Sequence, residues 1–390
     1  MRNELYFVFL SDCSKLKANM YALKNAKIFT SEEVINNQIL LIEGNKISKI
    51  ISEENLDLEA QVIDLKGFNI APSFIDIQIY GGGGSLYNSK TTEETIRKTY
   101  LEIRRQGTTH FQITLSSVLL DKMLEAIEVA KNYIKNGGKG LAGLHLEGPY
   151  FSFPKRGAHV AEFIRKPTDE ELTTIIQACE GLPTYMTIAP EEFSDEQLKM
   201  LLESDIIVAA GHSSATYKQA KNVFRQGIMR ITHLFNAMSQ LQGREPGLVG
   251  AAYNSEAWAS IIPDGIHVDF ASIAISKKMM GKRLFIITDA VTDDISGDYK
   301  FIHAGTHFTD TKGTLSGSAL TMMQGVKNCV EQVEISLQES LRMASTYPAE
   351  VLNLEHHLGK IKPNFQANMV IFDNSFVVKG IVEEGCLEWF

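Results

Sequence analysis

The chain contains 390 residues, of which 44% are hydrophobic and 22% are charged, a composition typical of globular proteins and unlike that of disordered ones. Its formal net charge of −9 disfavours a protein that binds the phosphate backbone of nucleic acids. No apolar run approaches the ~20 residues that a membrane-spanning helix requires, so we expect no membrane association.

Residues 1–20 are predicted to be an N-terminal extension whose role the sequence does not define. Their apolar run at 5–10 is too short for a signal-peptide core and lacks a small-residue cleavage site behind it. We therefore expect a cytoplasmic protein. The four cysteines of the chain have no C-x-x-C pair and no regular spacing, so neither a disulfide framework nor a thiolate metal site is supported.

Short β-rich runs occur at both ends of the remaining chain. Residues 39–42 and 47–51 flank a turn and predict a hairpin, and strand-like runs recur at 368–372 and 377–382. Neither end has enough strands to bury a core alone. The sequence therefore predicts one small β-sandwich domain built from residues 21–70 together with 355–390.

Residues 71–354 alternate between strand and helix patterns. Eight apolar runs are predicted as buried strands: 74–79, 110–115, 141–146, 185–188, 206–210, 229–232, 259–262 and 284–288. Three pairs predict helix N-termini: Thr91 with Glu94, Thr168 with Glu171, and Ser194 with Gln197. The alternation predicts an α/β fold, and eight strands favour a (β/α)8 TIM-like barrel. The alternative, an open doubly wound sheet, lacks its G-x-G-x-x-G fingerprint after the first strand.

Four residues suited to metal binding or acid–base catalysis follow four of these strands. They are Glu147, His212, His233 and Asp289. Catalytic groups of such barrels stand at the C-terminal strand ends. Two imidazoles and a carboxylate are a typical ligand set for a catalytic metal that activates water, and a further carboxylate can move the proton. The alternative is structural: satisfied core histidines, and carboxylates paired with Arg or Lys at the barrel mouth.

Seven segments, taken in order, resemble those of N-acetylglucosamine-6-phosphate deacetylases, members of the amidohydrolase superfamily. They are LHLEGPY at 144–150, AGHS at 210–213, THLFNAM at 232–238, GREPG at 243–247, PDGIHVD at 263–269, TDA at 288–290 and GTLSGSALTM at 313–322. The similarity extends from about residue 22 to residue 372. It implies the barrel with a β-sandwich made from both termini.

The resemblance also implies roles for single residues. Glu147, His212 and His233 would hold the metal, and Asp289 would act as general base and then as general acid. One divalent ion per subunit is expected, with Zn²⁺ favoured, although Fe²⁺, Mn²⁺ and Co²⁺ also suit this ligand set.

Substrate contacts are implied in the same way. Asn236 and Ala237, through amide groups, and Arg244 would bind the sugar phosphate, which matches the preference of phosphate for N–H donors and an Arg fork. His267 would orient the acetamide carbonyl, and His159 would contact the sugar. The resemblance further implies a homodimer in which Arg244 reaches the partner's pocket. A salt bridge between Arg244 and Glu245 is the structural alternative.

One segment departs from the pattern of most amidohydrolases. Their first strand ends in His-x-His, which supplies ligands for a second metal, whereas Gln78 and Tyr80 stand in those places here. An amide and a phenol with an unperturbed pKa of about 10 are poor zinc ligands. A site for one metal ion is therefore predicted. Asp76 remains available for hydrogen bonding to the site.

The predicted function is hydrolysis of N-acetylglucosamine 6-phosphate to glucosamine 6-phosphate and acetate, in amino-sugar metabolism. Two alternatives stay open: the same reaction on N-acetylgalactosamine 6-phosphate, and a catalytically silent barrel that binds sugar phosphates. A dihydropyrimidinase or dihydroorotase is disfavoured, because those enzymes typically use His-x-His and a carbamylated lysine where this chain has Gln78 and Glu147.

Overall fold

The computed structural model describes residues 20–56 and 61–390. In the N-terminal part the strands are short: β1 Tyr21–Lys24, β2 Lys27–Phe29, β3 Val34–Ile35, β4 Ile39–Glu43, β5 Lys46–Ile51, β6 Gln61–Asp64 and β7 Asn69–Pro72. Strands β5, β4, β1 and β6 form one sheet in that order. The predicted extension at residues 1–20 lies outside the described residues except for Met20, and it stays a prediction.

The next strands build a parallel barrel. They are β8 Phe74–Ile79, β11 Thr108–Ser116, β12 Leu141–Glu147, β13 Thr184–Ile188, β14 Ile207–Ala210, β15 Arg230–Ile231, β16 Trp258–Ile261 and β17 Leu284–Ile286, with a small hairpin of β9 Gly81–Gly82 and β10 Ser85–Leu86 after β8. The eight barrel strands pair in chain order and in parallel. All eight predicted strand runs are confirmed.

The barrel closes between its first and last strands, just beyond the strand ends. The amide of Asp289 donates to the carbonyl of Gln78 at 3.0 Å, and the amide of Tyr80 donates to the carbonyl of Ala290 at 2.9 Å. An open doubly wound sheet has no such contact between its edge strands. The predicted barrel is therefore confirmed, and the seam of the barrel runs beside Asp289.

Helices follow most barrel strands. They are α1 Glu93–Arg104, α2 Leu120–Lys135, α3 Asp169–Cys179, α4 Asp195–Leu202, α5 Tyr217–Gln226, α6 Gly247–Tyr253, α7 Phe270–Met280, α8 Met322–Glu331, α9 Leu337–Ala344 and α10 Thr346–Val351. Short 3-10 helices cover Glu53–Asn55, Phe153–Lys155, Ala161–Phe163, Pro190–Glu192 and Gly281–Arg283. None of the helices among the described residues has both the length and the apolarity to cross a bilayer.

Two of the three predicted helix caps are confirmed. Thr168 accepts the hydrogen bond that caps α3, and Ser194 with Gln197 forms a complete capping box at α4. The predicted N-cap of α1, Thr91, was wrong by one residue, because Thr92 caps this helix. Thr91 turns its hydroxyl back to a preceding carbonyl, so Thr92 takes the extended conformation and caps the helix.

After β17 the chain forms a three-stranded antiparallel sheet and then returns to the small domain. The three-stranded sheet comprises β18 Ile302–His303, β19 His307–Thr309 and β20 Leu315–Ser318. We call residues 291–318, which contain this sheet, the hairpin flap. Strands β21 Met369–Phe372, β22 Val378–Glu383 and β23 Cys386–Trp389 pair with the N-terminal strands in the order β23-β22-β21-β7-β2-β3. Side chains from both ends share one core, among them Ile28, Ile70 and Ile371. The domain bounds given above stay a prediction.

Candidate active site

The four predicted strand-end residues meet at one end of the barrel. Glu147 is the last residue of β12, and His212, His233 and Asp289 follow β14, β15 and β17 by two or three positions. His212, His233 and Asp289 all have positive φ angles, of 47°, 35° and 54°. Such left-handed backbone is costly for residues other than glycine and is concentrated at functional sites.

Three side-chain atoms converge within 3.3 Å of one another. Glu147 Oε1 lies 2.9 Å from His233 Nε2 and 3.3 Å from His212 Nε2, and the two nitrogens are 3.1 Å apart. Ligand atoms about 2.0 Å from a tetrahedral zinc ion are separated by about 3.3 Å. The spacing of the three atoms therefore fits a single ion.

The protonation of His212 supports this fit. Its Nδ1 lies 2.9 Å from the carbonyl oxygen of Lys155, which can only accept, so Nδ1 carries the proton. The Nε2 lone pair of the neutral ring then points at Glu147 and His233. Burial lowers the pKa of His212 to about 4, so the ring stays neutral. The ring of Phe151 stacks on it with centroids 4.0 Å apart and fixes its plane.

His159 also approaches Glu147, but with the opposite tautomer. One potential ligand atom each from Glu147, His159 and His212 lie within 4.8 Å of one another. The backbone amide of Ser117 donates to His159 Nδ1 at 3.2 Å, so this nitrogen is an acceptor and the proton is on Nε2. Nε2 donates to Glu147 Oε2 at 3.2 Å. His159 therefore orients the carboxylate, and His233 Nε2, 2.9 Å from Glu147 Oε1, is the third atom that could bind the ion.

Gln78 links the carboxylates of Glu147 and Asp289. Its Nε2 lies 2.8 Å from Glu147 Oε1 and 2.7 Å from Asp289 Oδ1. Because carboxylates only accept, the amide nitrogen and not the amide oxygen must face them. The Tyr80 hydroxyl donates to the other oxygen of Glu147 and lies 3.3 Å from Asp289 Oδ1. Neutral donors thus fill the space between the two carboxylates.

The two carboxylates differ in protonation preference. Burial and the neighbouring Glu147 charge raise the pKa of Asp289 above its ordinary value. Burial also acts to raise the pKa of Glu147, but the neighbouring His159, His212 and His233 lower it well below its ordinary value. Glu147 is thus suited to remain an ionised ligand, and Asp289 is suited to exchange a proton.

His267 is held by Asp264 within the loop that follows β16. Its Nδ1 lies 2.6 Å from Asp264 Oδ2, and its backbone amide donates to Oδ1 at 2.8 Å. Although burial opposes it, the hydrogen bond and charge of His267 lower the pKa of Asp264. Nδ1 is therefore committed to Asp264, and Nε2 is the atom left for a substrate.

The predicted phosphate-binding residues lie after β15. Asn236 and Ala237 are partly buried in the turn that also carries His233, and Ala237 has φ of 47°. Within the described chain the amide of Ala237 donates no hydrogen bond. Arg244 is exposed and has no ion pair or hydrogen bond to any described residue. Its neighbour Glu245 accepts from the amides of Tyr217 and Gly247 through Oε1, and the predicted alternative, a salt bridge between Arg244 and Glu245, is absent among the described residues.

Sequence reasoning missed the contacts of three residues around Glu147. Gln78 and Tyr80 were considered only as poor metal ligands, and Ser117 was not considered at all. Ser117 comes directly after β11, so the strand-end rule that identified Glu147 would also have identified it. No Arg or Lys among the described residues pairs with Glu147 or Asp289, which removes the structural alternative for these carboxylates.

Comparison with protein families gives two adjoining matches. Residues 69–385 match the amidohydrolase family model, and residues 20–70 match the model of the NagA composite domain. The N-acetylglucosamine-6-phosphate deacetylase of Haemophilus influenzae is 34% identical over 94% of this chain and 98% of its own length. The N-acetylgalactosamine-6-phosphate deacetylase of a Shewanella species is 33% identical over 78% of this chain and 79% of its own length.

Solved structures agree with these matches. The crystal structure of N-acetylglucosamine-6-phosphate deacetylase from Pasteurella multocida superposes with a TM-score of 0.92 and 36% identity, covering 95% of this chain and 100% of that one. A mutant of the Mycobacterium smegmatis enzyme in complex with N-acetyl-D-glucosamine-6-phosphate gives a TM-score of 0.87 and 25% identity, covering 95% and 99%.

Proposed function

Because the chain belongs to the amidohydrolase family, and within it to the N-acetylglucosamine-6-phosphate deacetylases, we propose that it hydrolyses N-acetyl-D-glucosamine 6-phosphate to D-glucosamine 6-phosphate and acetate. The observation that carries the proposal is the convergence of Glu147, His212 and His233 next to Asp289. A catalytically silent barrel would be expected to have lost one of these groups.

Glu147 Oε1, His212 Nε2 and His233 Nε2 would hold one divalent ion, and we propose Zn²⁺. A bound ion of this kind polarises a carbonyl oxygen and lowers the pKa of a water molecule. Fe²⁺, Mn²⁺ and Co²⁺ suit the same donors, so the choice of Zn²⁺ rests on the tetrahedral spacing and the two imidazoles.

Asp289 would move the proton during hydrolysis. Its carboxylate takes a proton from the attacking water, whose oxygen forms a bond to the acetamide carbon. The same proton then passes from Asp289 to the amide nitrogen as the C–N bond breaks, since an amide nitrogen cannot leave as an anion. The raised pKa of Asp289 favours this return of the proton.

His267 would orient the acetamide carbonyl through Nε2. Because Asp264 holds the Nδ1 proton, Nε2 can donate to an oxygen only when the ring carries both protons. Asp264 also fixes the orientation of the ring. His159, predicted to contact the sugar, has both ring nitrogens engaged by Ser117 and Glu147, and its sugar contact stays a prediction.

The phosphate would bind beside Asn236 and Ala237, where the free amide of Ala237 is a suitable donor. We propose that the protein is a homodimer and that Arg244 completes the pocket of the partner subunit. The support is the position of Arg244, exposed on a loop and unpaired within the described chain. A cytoplasmic location stays a prediction.

The decisive experiment measures metal content and acetate release together. Purified protein is incubated with N-acetylglucosamine 6-phosphate, its galacto epimer and unphosphorylated N-acetylglucosamine, with an Asp289→Asn variant as the inactive control. We expect fastest release from the gluco 6-phosphate. Faster release from the galacto epimer would instead assign the alternative substrate. No acetate from either phosphate, with metal bound, would disprove the proposed activity.

A further inference from the structure

Tyr80 belongs to two environments at once. Its hydroxyl donates to Oε2 of Glu147 inside the site. Its ring, only 6% exposed, packs in an apolar cluster with Val291, Tyr299, Phe301 and other side chains of the hairpin flap. The side chain therefore connects the flap to a predicted metal ligand.

The second donor to the same oxygen is connected to the flap as well. His159 Nε2 lies 3.2 Å from Glu147 Oε2. Ser117 holds the ring by donating to Nδ1 from its backbone amide at 3.2 Å and from its hydroxyl at 2.8 Å. The carbonyl oxygen of Ser117 accepts the hydroxyl of Tyr299 at 2.8 Å. Both donors to Oε2 thus depend on residues of the flap.

This arrangement makes the two oxygens of Glu147 unequal. Oε2 is occupied by the hydroxyl of Tyr80 and the imidazole of His159. Oε1 receives one amide hydrogen from Gln78 and otherwise faces Nε2 of His212 and Nε2 of His233. A carboxylate held in this way offers a single oxygen to an ion. Because its orientation is already fixed before the ion binds, binding does not have to order this side chain.

We propose that Tyr80 is a positioning residue of the metal site: its hydroxyl, with His159, fixes Glu147 so that Oε1 alone binds the ion, and the flap fixes Tyr80. The proposal rests on the metal site of the proposed function. Tyr80 stands where most amidohydrolases have the second histidine of His-x-His. On this proposal its function is to orient Glu147. Partners of this kind typically contribute 10–100-fold (roughly) to metal affinity.

The test compares two tyrosine-to-phenylalanine variants. Tyr80→Phe keeps the ring in its cluster and removes only the hydroxyl. Tyr87→Phe is the matched control, because Tyr87 is fully buried and donates to the carbonyl of Ala126 at 2.8 Å, away from the metal site. Metal-free protein is titrated with Zn²⁺ in competition with a chelator, and thermal unfolding of each metal-free variant is recorded in parallel.

We expect Tyr80→Phe to raise the Kd for Zn²⁺ by about 10–100-fold and Tyr87→Phe to leave it unchanged. Excess Zn²⁺ should restore turnover of Tyr80→Phe, which a general loss of structure would not allow. Wild-type affinity in Tyr80→Phe would overturn the proposal. Failure of the wild-type protein itself to bind Zn²⁺ or a related ion would instead disprove the proposed function.

A second variant decides the matter if Tyr80→Phe does not fold. Tyr299→Phe removes the hydrogen bond to Ser117 and leaves the ring beside Phe301. Weaker binding of Zn²⁺ by this variant supports the proposal, with a smaller effect expected because the hydroxyl acts through two further residues. Unchanged affinity overturns the role of the flap.

Discussion

Thr288 and Asp76 join the last barrel strand to the first. The hydroxyl of Thr288 donates to Oδ2 of Asp76, and its backbone amide donates to Oδ1 at 3.3 Å. Thr288 directly precedes Asp289, so this contact fixes the chain where the predicted proton carrier leaves the strand. Asp76 was expected to be available for hydrogen bonding near the site. It instead fixes the backbone that leads to Asp289, at the seam of the barrel.

The seam makes folding stability depend on pH. Burial raises the pKa of Asp76 from 3.8 to about 7. Between pH 3.8 and about 7 the Asp76 carboxyl is protonated in the folded protein and ionised in the unfolded chain. The free energy of unfolding therefore falls as the pH rises toward about 7, where the folded protein also loses this proton. We expect wild type to lose stability relative to Asp76→Asn between pH 5 and pH 8. Unfolding midpoints in urea measure this difference, with Asp121→Asn, an exposed aspartate at the start of α2, as the control. A constant difference across this range would contradict the prediction.

The protein is expected to bind about one divalent ion per chain tightly, because Gln78 and Tyr80 place neutral donors between Glu147 and Asp289. Elemental analysis of the purified protein measures the ratio. Replacing Gln78 and Tyr80 together by histidine should raise the ratio toward two. Two equally tight ions in the wild-type protein would contradict the one-metal site.

Asp289→Asn should abolish turnover while leaving binding intact. The amide keeps the size and polarity of the side chain but cannot accept the proton of water, and general acid–base groups contribute ~10²–10⁴-fold. Steady-state acetate release measures the loss, and metal analysis with substrate titration confirms that the site still forms. Near-normal turnover would place the base elsewhere, with Glu191 and Asp264 as the next candidates.

Arg244→Ala should separate phosphate recognition from chemistry. We expect the KM for N-acetylglucosamine 6-phosphate to rise by ~10–150-fold, the equivalent of one charge-assisted hydrogen bond. Weak activity on unphosphorylated N-acetylglucosamine should barely change, since Arg244 has no contact within its own described chain. An equal loss on both substrates would indicate that Arg244 supports the fold.

Subunit mixing tests whether Arg244 serves the partner. Chains carrying Arg244→Ala are combined with chains carrying Asp289→Asn, and activity is measured at a substrate concentration far below the raised KM, where each preparation alone is nearly inactive. If the arginine crosses the interface, one pocket of a mixed dimer has both defects and the other has neither, so activity returns. Absence of recovery, despite proven subunit exchange, would mean that each chain uses its own arginine.

Local sequence patterns predicted the barrel because its strands are buried on both faces and read as uninterrupted apolar runs. The run at 74–79 coincides with β8, and the run at 141–146 lacks only Glu147. The cap of α1 was misplaced because Thr91 and Thr92 are both acceptable caps. They are distinguished by the carbonyl of Tyr87, four residues before Thr91, which accepts the hydroxyl of Thr91.

The site was predicted less completely than the fold. Glu147 and His212 were identifiable because each follows an apolar run. The donors to Glu147 were not, since the position of the Tyr80 hydroxyl depends on Tyr299, more than 200 residues away in the chain. The tautomer of His159 likewise depends on the backbone amide of Ser117, which follows β11. Such long-range contacts leave no local pattern in the sequence.

The shared sheet of the small domain has a consequence for how the chain is made. Strand β7 pairs with β21, so Ile70 lies against Ile371 although about 300 residues separate them. On a ribosome the first strands emerge long before their partners exist, and closing so long a loop is slow. The apolar side chains of β2 and β7 therefore stay exposed, without their C-terminal partner strands, until translation is almost complete. Late release of the C-terminus, or its removal by a protease, would leave a finished barrel attached to an unprotected, aggregation-prone edge.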